Sequence, residues 1–363
     1  MKTSNLNKIL TLGLTLAGAV FNHETKADVT VTIEGGSASS SVLFDRATNF
    51  FTSSGALTNV IITGGGNVGR FQGYRTGALA SYKTITLDIN VANGAINGLQ
   101  ALVNQHAYTG DTNVLGQQVV PTFVDSATSP EAVGFSSSTL TALPTYVVPL
   151  VFIKNTNSAD TAGITNLSRQ QAVTLETSSP LQAAFYGGTS TNKVYFVGRN
   201  SQAAVRTEID LVIQNTANIV TYTNFGSTPV LDTSADPGYS AASGVYNAVV
   251  ALTNAIGTVA VQNVKVGVAP IPYEGVPYSV TNVINGSYPI WAYENYYYIT
   301  TGTGAPDGPH LDVINAYYAG VTNASFQSSS NPVFKANYIP NGSLKVSRSV
   351  DGGAISLLPG FFQ

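Results

Sequence analysis

The sequence predicts an α/β protein with mainly parallel sheets, and two observations carry that reading. Several segments that alternate with period two are followed, across a short turn of Gly, Ser or Asn, by segments with helical apolar spacing. Residues 146–153 (YVVPLVFI) form a nearly continuous apolar run, the signature of a strand buried on both faces. With 363 residues, 44% of them hydrophobic, the chain has material for substantial cores.

In chain order, Asp28 to Glu34 alternates as a strand and is broken by Gly35, Gly36 and Ser37. Ser39 to Phe51 follows as a helix, with Val42, Leu43, Ala47, Phe50 and Phe51 on one face and Ser37 or Ser39 as N-cap. Asn59 to Thr63 is a second strand, and 64–82 reads as an irregular insertion. Tyr82 to Val91 is a third strand, broken at Asn93-Gly94, and Ala95 to Val103 is a helix. Val119 to Val124 is a short strand ending at Asp125-Ser126. Ser168 to Leu175 is a short helix. Val194 to Val197 is a strand, turned by Gly198 to Ser201 into a helix over 202–213. Tyr246 to Ala255 reads as helix, Gly257 to Val261 as strand, Pro289 to Tyr293 as another buried strand, and Leu311 to Tyr318 as helix. The tail from Ser325 is polar and without clear period.

Composition narrows the function. Charged residues are 10% of the chain, against about a quarter in an ordinary protein, and the formal net charge is -3. There is no electrostatic footprint for nucleic acid or anionic lipid. The absence of Cys excludes disulfides, thiol catalysis and thiolate metal sites. Lys2 and Lys8, the apolar stretch Ile9 to Phe21 and small residues ending at Ala27 read as a signal peptide over 1–27. That predicts a periplasmic or secreted protein with no membrane insertion after signal removal.

Motifs for chemistry are sparse. Gly64 to Gly69 matches G-x-G-x-x-G, but no helix follows, so it reads as a glycine-rich loop and no cofactor is expected. His106 and His310 lack partners at ligand spacing, so no metal is expected. His310 lies between Asp307 and Asp312 without a nucleophile elbow, so no catalytic residue is assigned. Four strand-to-helix turns carry small polar residues instead: Gly36-Ser37-Ala38-Ser39, Ala92-Asn93-Gly94, Asp125-Ser126 and Arg199-Asn200-Ser201. Helix N-termini present unpaired N–H groups and partial positive charge, so several of them converging on a cleft make an anion site. Taken singly, each turn is more often an ordinary cap than a ligand contact. Trp291, Tyr293, Tyr296, Tyr297 and Tyr298 offer faces for sugar stacking, but their alternation assigns at least half of them to core.

The order of these segments carries a resemblance. GGSAS (Gly35 to Ser39), INVANGAINGLQAL, FVDSATSP, VVPLVFIKN, GITNLSRQQAVTL, GRNSQAAVR, AIGTVAV and YPIWAYENYYYI succeed one another along most of the chain. In that order they resemble the phosphate-type solute-binding proteins of ABC importers. The resemblance implies a two-lobe type II periplasmic-binding-protein fold with a hinge and a central cleft. Lobe one would be 28–147 with a return segment 266–363, lobe two 148–265, and the hinge the crossings near Val147 and Tyr288. It implies a small anionic or polar solute, phosphate among them, and a membrane ABC permease as partner. Ligand contacts would come from Ser37, Ser39, Asn93, Gly94, Asp125, Ser126, Arg199, Ser201 and Arg206.

One departure changes the expectation. In the family, the turn after the lobe-two strand reads G-R-D-S-G-S-G-T-R. The S-G-T stretch is Ala203-Ala204-Val205 in this sequence. Each lost bond to a charged ligand costs about 1.5–3 kcal/mol, so two weaken phosphate binding by about two to four decades. Arg199 and Arg206 remain for an anion, or for ion pairs with Glu208 or Asp210. The rival reading is a surface or structural protein that keeps the fold without the ligand.

Overall fold

The computed structural model describes residues 26–328 and 331–361. The predicted signal peptide lies almost wholly outside the described residues. The first strand β1 (Asp28–Gly35) leads into helix α1 (Ser40–Thr52), whose apolar face is fully buried. Then come β2 (Gly55–Thr63), β3 (Val68–Arg75), β4 (Thr84–Asn90), α2 (Ala95–Asn104), β5 (Phe123–Ser126) and the long β6 (Leu140–Asn155). Next are α3 (Ala159–Ala162), α4 (Arg169–Ser178), β7 (Leu181–Gln182), β8 (Lys193–Val197), α5 (Ala204–Ile213), β9 (Tyr222–Phe225) and β10 (Thr228–Leu231). The chain continues through α6 (Ala242–Ala251), β11 (Ala255–Ala260), β12 (Val268–Ile271), α7 (Val280–Ile284), β13 (Trp291–Ile299) and α8 (Gly308–Val321). It ends with α9 (Pro332–Asn337), β14 (Ile339–Pro340), β15 (Val346–Ser347) and β16 (Ser356–Leu357).

Twelve strands form one connected sheet in the order β2-β3-β4-β1-β5-β13-β6-β11-β8-β7, with β12 and β14 also on β6. The continuity comes from β6, which serves two halves in turn. Its residues Leu140 to Pro149 pair with β13, and Leu150 to Lys154 pair with β11. Every residue of YVVPLVFI is buried, as a strand covered on both faces requires. A second crossing lies beside it. The Leu150 N–H donates to the Ile290 carbonyl at 3.0 Å, and the Tyr288 hydroxyl donates to the Leu150 carbonyl at 2.8 Å. The chain regains the first half only at Trp291, because β12 pairs with Phe152 to Asn155. Val268–Ile271, within the expected return segment, thus lie against the second-half end of β6.

The sheet is mixed rather than mainly parallel. The pairs β1–β4, β1–β5 and β8–β11 are parallel, whereas both crossing strands and the β2–β3–β4 edge are antiparallel. That edge also corrects the irregular insertion. Residues 68–75 are a strand paired with both β2 and β4, and Gly64 to Gly66 form the hairpin tip. Polar residues and glycines in VGRFQGYR hide the alternation, but Gly69, Phe71 and Gly73 are buried against α1. Three smaller expectations also shift. Strand β5 begins only at Phe123, α6 ends four residues earlier than read, and the polar tail carries α9 and three short strands.

Local chemistry sets the helix starts. Ser168 caps α4 in a reciprocal box: its Oγ accepts from the Gln171 N–H at 3.2 Å, and Gln171 Oε1 accepts from the Ser168 N–H at 2.9 Å. Ser168→Ala is expected to cost about 1 kcal/mol. A lower urea midpoint with unchanged slope would report it, and an unchanged midpoint would contradict it.

Candidate functional site

The turn Gly36 to Ser39, between β1 and α1, meets the second half through Arg199 and Gln262. Ser37, Ser39, Asp125 and Arg199 are all buried there. Ser39 does not cap α1 with its side chain; its hydroxyl instead donates to the Gly36 carbonyl at 3.2 Å. Ser37 Oγ accepts from Arg199 Nη1 at 3.0 Å, a bond that joins the two halves. The Ser37 carbonyl accepts from Gln262, which also receives the Ser41 and Tyr338 hydroxyls.

Arg199 is 2% exposed. Its Nε donates to the Tyr239 carbonyl at 3.0 Å and its Nη2 to the Ser240 carbonyl at 2.6 Å. Among the described residues no carboxylate lies within ion-pair distance of it. Burial pushes its pKa down to about 10, so it remains a cation at neutral pH. A buried guanidinium held by neutral acceptors alone keeps its charge uncompensated.

Asp125 lies against Ser39, Glu294 and Tyr146, yet neither of its oxygens closes a well-formed hydrogen bond. Burial pushes its pKa up to about 7. Burial and then Asp125 itself push Glu294 well above the usual carboxylate range. Two carboxyls this close do not both ionise readily, so the pair titrates as a unit that retains a proton. Glu208 on α5, raised by burial and then by Asp351, adds a further buried acid from the second half.

The halves touch directly. Gly94, at the start of α2 with φ of 90°, packs so that a Cβ would stand 2.3 Å from the Gln202 carbonyl oxygen. That carbonyl accepts from the Ile96 N–H at 3.3 Å. Nearby, Ala95, Ala127, Ala204 and Ala292 form a small buried cluster drawn from both halves. The Ala203-Ala204-Val205 stretch that replaces hydroxyl donors is thus part of a packed contact, 2–5% exposed.

Of the nine sequence-predicted contacts, Ser37, Ser39, Gly94, Asp125 and Arg199 lie along this contact. Asn93 borders it and donates to Asp111 at 3.0 Å. Ser126 turns inward and closes a local turn with Thr128. Ser201 is exposed, its N–H donating to Asp236 at 2.8 Å. Arg206 pairs with Asp210 at 3.6 Å, one helical turn on. These last three therefore serve local structure in this arrangement. Asp125 lies within β5, one residue before its end. Glu294, Glu208, Gln262 and the alanine cluster were missed. Only Glu294 carries a sequence signal, as the one charge in an aromatic crossing strand. The aromatics themselves are mostly core, with Trp291, Tyr296 and Tyr297 buried and only Tyr293 and Tyr298 half-buried. His310 bonds to Asp307, the N-cap of α8, at 2.5 Å, while Asp312 accepts from Tyr82.

No protein-family model matches the sequence, and neither does any curated protein. Solved structures do match the fold. A phosphate ABC transporter substrate-binding protein from Clostridium perfringens, solved with phosphate bound, superposes with a TM-score of 0.57 at 14% identity, over 86% of this chain and 99% of that one. An ABC-type phosphate transport receptor from Vibrio cholerae gives 0.52 at 14% identity, over 85% and 99%. The high-affinity periplasmic phosphate-binding protein PfluDING gives 0.51 at 14% identity, over 86% and 90%. With its helices around a large mixed sheet and its two strand crossings, the chain has the fold of the periplasmic phosphate-binding proteins.

Proposed function

We propose that this chain is an extracytoplasmic solute-binding protein that holds a small anionic or polar solute, phosphate or a related oxyanion, with contacts from Ser37, Ser39, Asp125 and Arg199. The carrying observation is Arg199, a buried cation with no carboxylate partner among the described residues, placed on the bond that joins the halves. A bound oxyanion supplies the missing negative charge. Asp125, as a protonated carboxyl, offers an O–H donor that partly replaces the hydroxyls lost at Ala203-Ala204-Val205. The role is binding without a chemical step, and the fold relatives point to an ABC permease as the partner. Among the described residues no helix is long and apolar enough to cross a membrane. Export by a cleaved signal peptide rests on the sequence of 1–27.

The alanine contact shapes the proposal. The halves must part to admit a solute, and ligand then shifts the population of open and closed forms. The same contact favours, as second reading, a protein that keeps the fold without its ligand. Thermal unfolding against phosphate, sulfate, phosphonates, other oxyanions, sugars and amino acids separates the two. A ligand at 100 times its dissociation constant adds about 2.7 kcal/mol and raises the midpoint. The binding reading expects a shift with an oxyanion that Arg199→Ala removes. No shift across the panel supports the second reading.

A further inference from the structure

We propose a second oxyanion site, remote from the crossings, in a groove of about 740 Å³ between α1, α8 and the start of α9, built on Arg46 and Arg75. Asn49, Ser53, Asn323 and Phe326 complete its working walls.

The two arginines are placed by packing. Both stack on one ring: the Arg75 guanidinium lies 4.4 Å from the Phe50 centroid and the Arg46 guanidinium 5.5 Å from it. Arg46 is 3% exposed and spans from α1 to α8. It donates to the Tyr317 and Ala316 carbonyls at 3.0 Å each and to Asn49 Oδ1 at 3.1 Å. Gly320 makes the crossing possible, because a Cβ there would stand 1.8 Å from Arg46 Nη2. Arg75 donates once, to the Phe50 carbonyl at 2.5 Å, and its Nε is buried without a partner. Neither arginine has a carboxylate within ion-pair distance among the described residues. Asp45, the acid in the groove, accepts from Asn331 at 3.1 Å.

Two like charges against one ring repel, and each is partly stripped of water. Burial lowers the pKa of both, and for Arg46 the neighbouring Arg75 adds to that. An anion bridging them relieves both costs, and the unused N–H groups of two guanidiniums suit adjacent oxygens of one ligand. Apart from Asp45, the polar lining is of neutral amides and hydroxyls, which suit the oxygens of a tetrahedral oxyanion or a carboxylate, and the ligand class is therefore an oxyanion.

Calorimetric titration at constant ionic strength tests this on Arg199→Ala protein, so that the cleft is silenced and its failure stays separate. The probes are inorganic phosphate, sulfate and succinate. At least one is expected to bind saturably, and Arg75→Gln on that background is expected to weaken it tenfold or more. Arg75→Lys, which keeps charge but loses the fork, should fall between. Saturation by phosphate and sulfate alone assigns a tetrahedral ligand, and saturation by succinate a carboxylate. Absence of saturable binding by all three overturns the proposal, as does equal affinity in Arg75→Gln. Arg75 is half-buried at the rim, so its variants should fold, and an unchanged circular dichroism spectrum checks that.

Discussion

Gly94→Ala is expected to force the halves apart and to lower stability by about 3 kcal/mol or more. Two effects add. The backbone at Gly94 has φ of 90°, which costs an L-residue about 1–2 kcal/mol. The new Cβ would also stand 2.3 Å from the Gln202 carbonyl oxygen, a backbone atom that yields only if the second half moves. Gly134 provides the control. It has φ of 84° with nothing within 4 Å of a built Cβ, so Gly134→Ala costs the strain alone. Urea unfolding should show Gly94→Ala as the more destabilised, and solution scattering should show a larger radius of gyration for it only. Equal losses and equal radii would contradict the direct contact of the halves.

Stability is expected to fall as pH rises from about 5 to 8, opposite to the usual behaviour of paired carboxylates. Asp125 is held at about 7 by burial, and Glu294, Glu208 and Glu34 are also raised chiefly by burial. In the unfolded chain these groups titrate near 4. Between those values the native state binds more protons than the unfolded one, so the unfolding free energy declines with pH. The advantage is complete below about pH 4 and is lost as pH passes the raised native values. Asp125→Asn, which mimics the protonated acid, should flatten the slope and gain relative stability at pH 8. Urea unfolding at pH 5 and 8 measures this. A flat or rising profile in the wild type would contradict it.

The sequence carried the strand-to-helix turns because each is a local signal: period two, then a small polar break, then helical spacing. It carried β6 for the same reason, since YVVPLVFI is apolar on both faces. It did not reveal β3, where polar residues and glycine occupy positions that pack on α1 without an apolar pattern. It did not separate parallel from antiparallel pairing, because pairing direction depends on partners far along the chain. For the contact between the halves, the sequence marked Ser37, Ser39, Asp125 and Arg199, which all lie along it. The local contacts of Ser126, Ser201 and Arg206 were not legible, since a serine that closes its own turn and one that faces a cleft share the same sequence context. The partner of Asp125 was hidden too. Glu294 comes from a strand about 170 residues later, and only the register of β13 against β5 brings it near. The groove at Arg46 and Arg75 left no trace in spacing, because α1, β3 and α8 assemble it from separate segments.

The central claim is that Arg199 anchors a solute between the halves. Its most direct test is calorimetric titration of the panel oxyanions, phosphate first, into Arg75→Gln protein with and without Arg199→Ala. The account predicts saturable binding near one per chain in Arg75→Gln, weakened at least tenfold in the double variant. Equal affinity with and without Arg199→Ala on this background would contradict it, and so would the absence of binding for every oxyanion in both proteins.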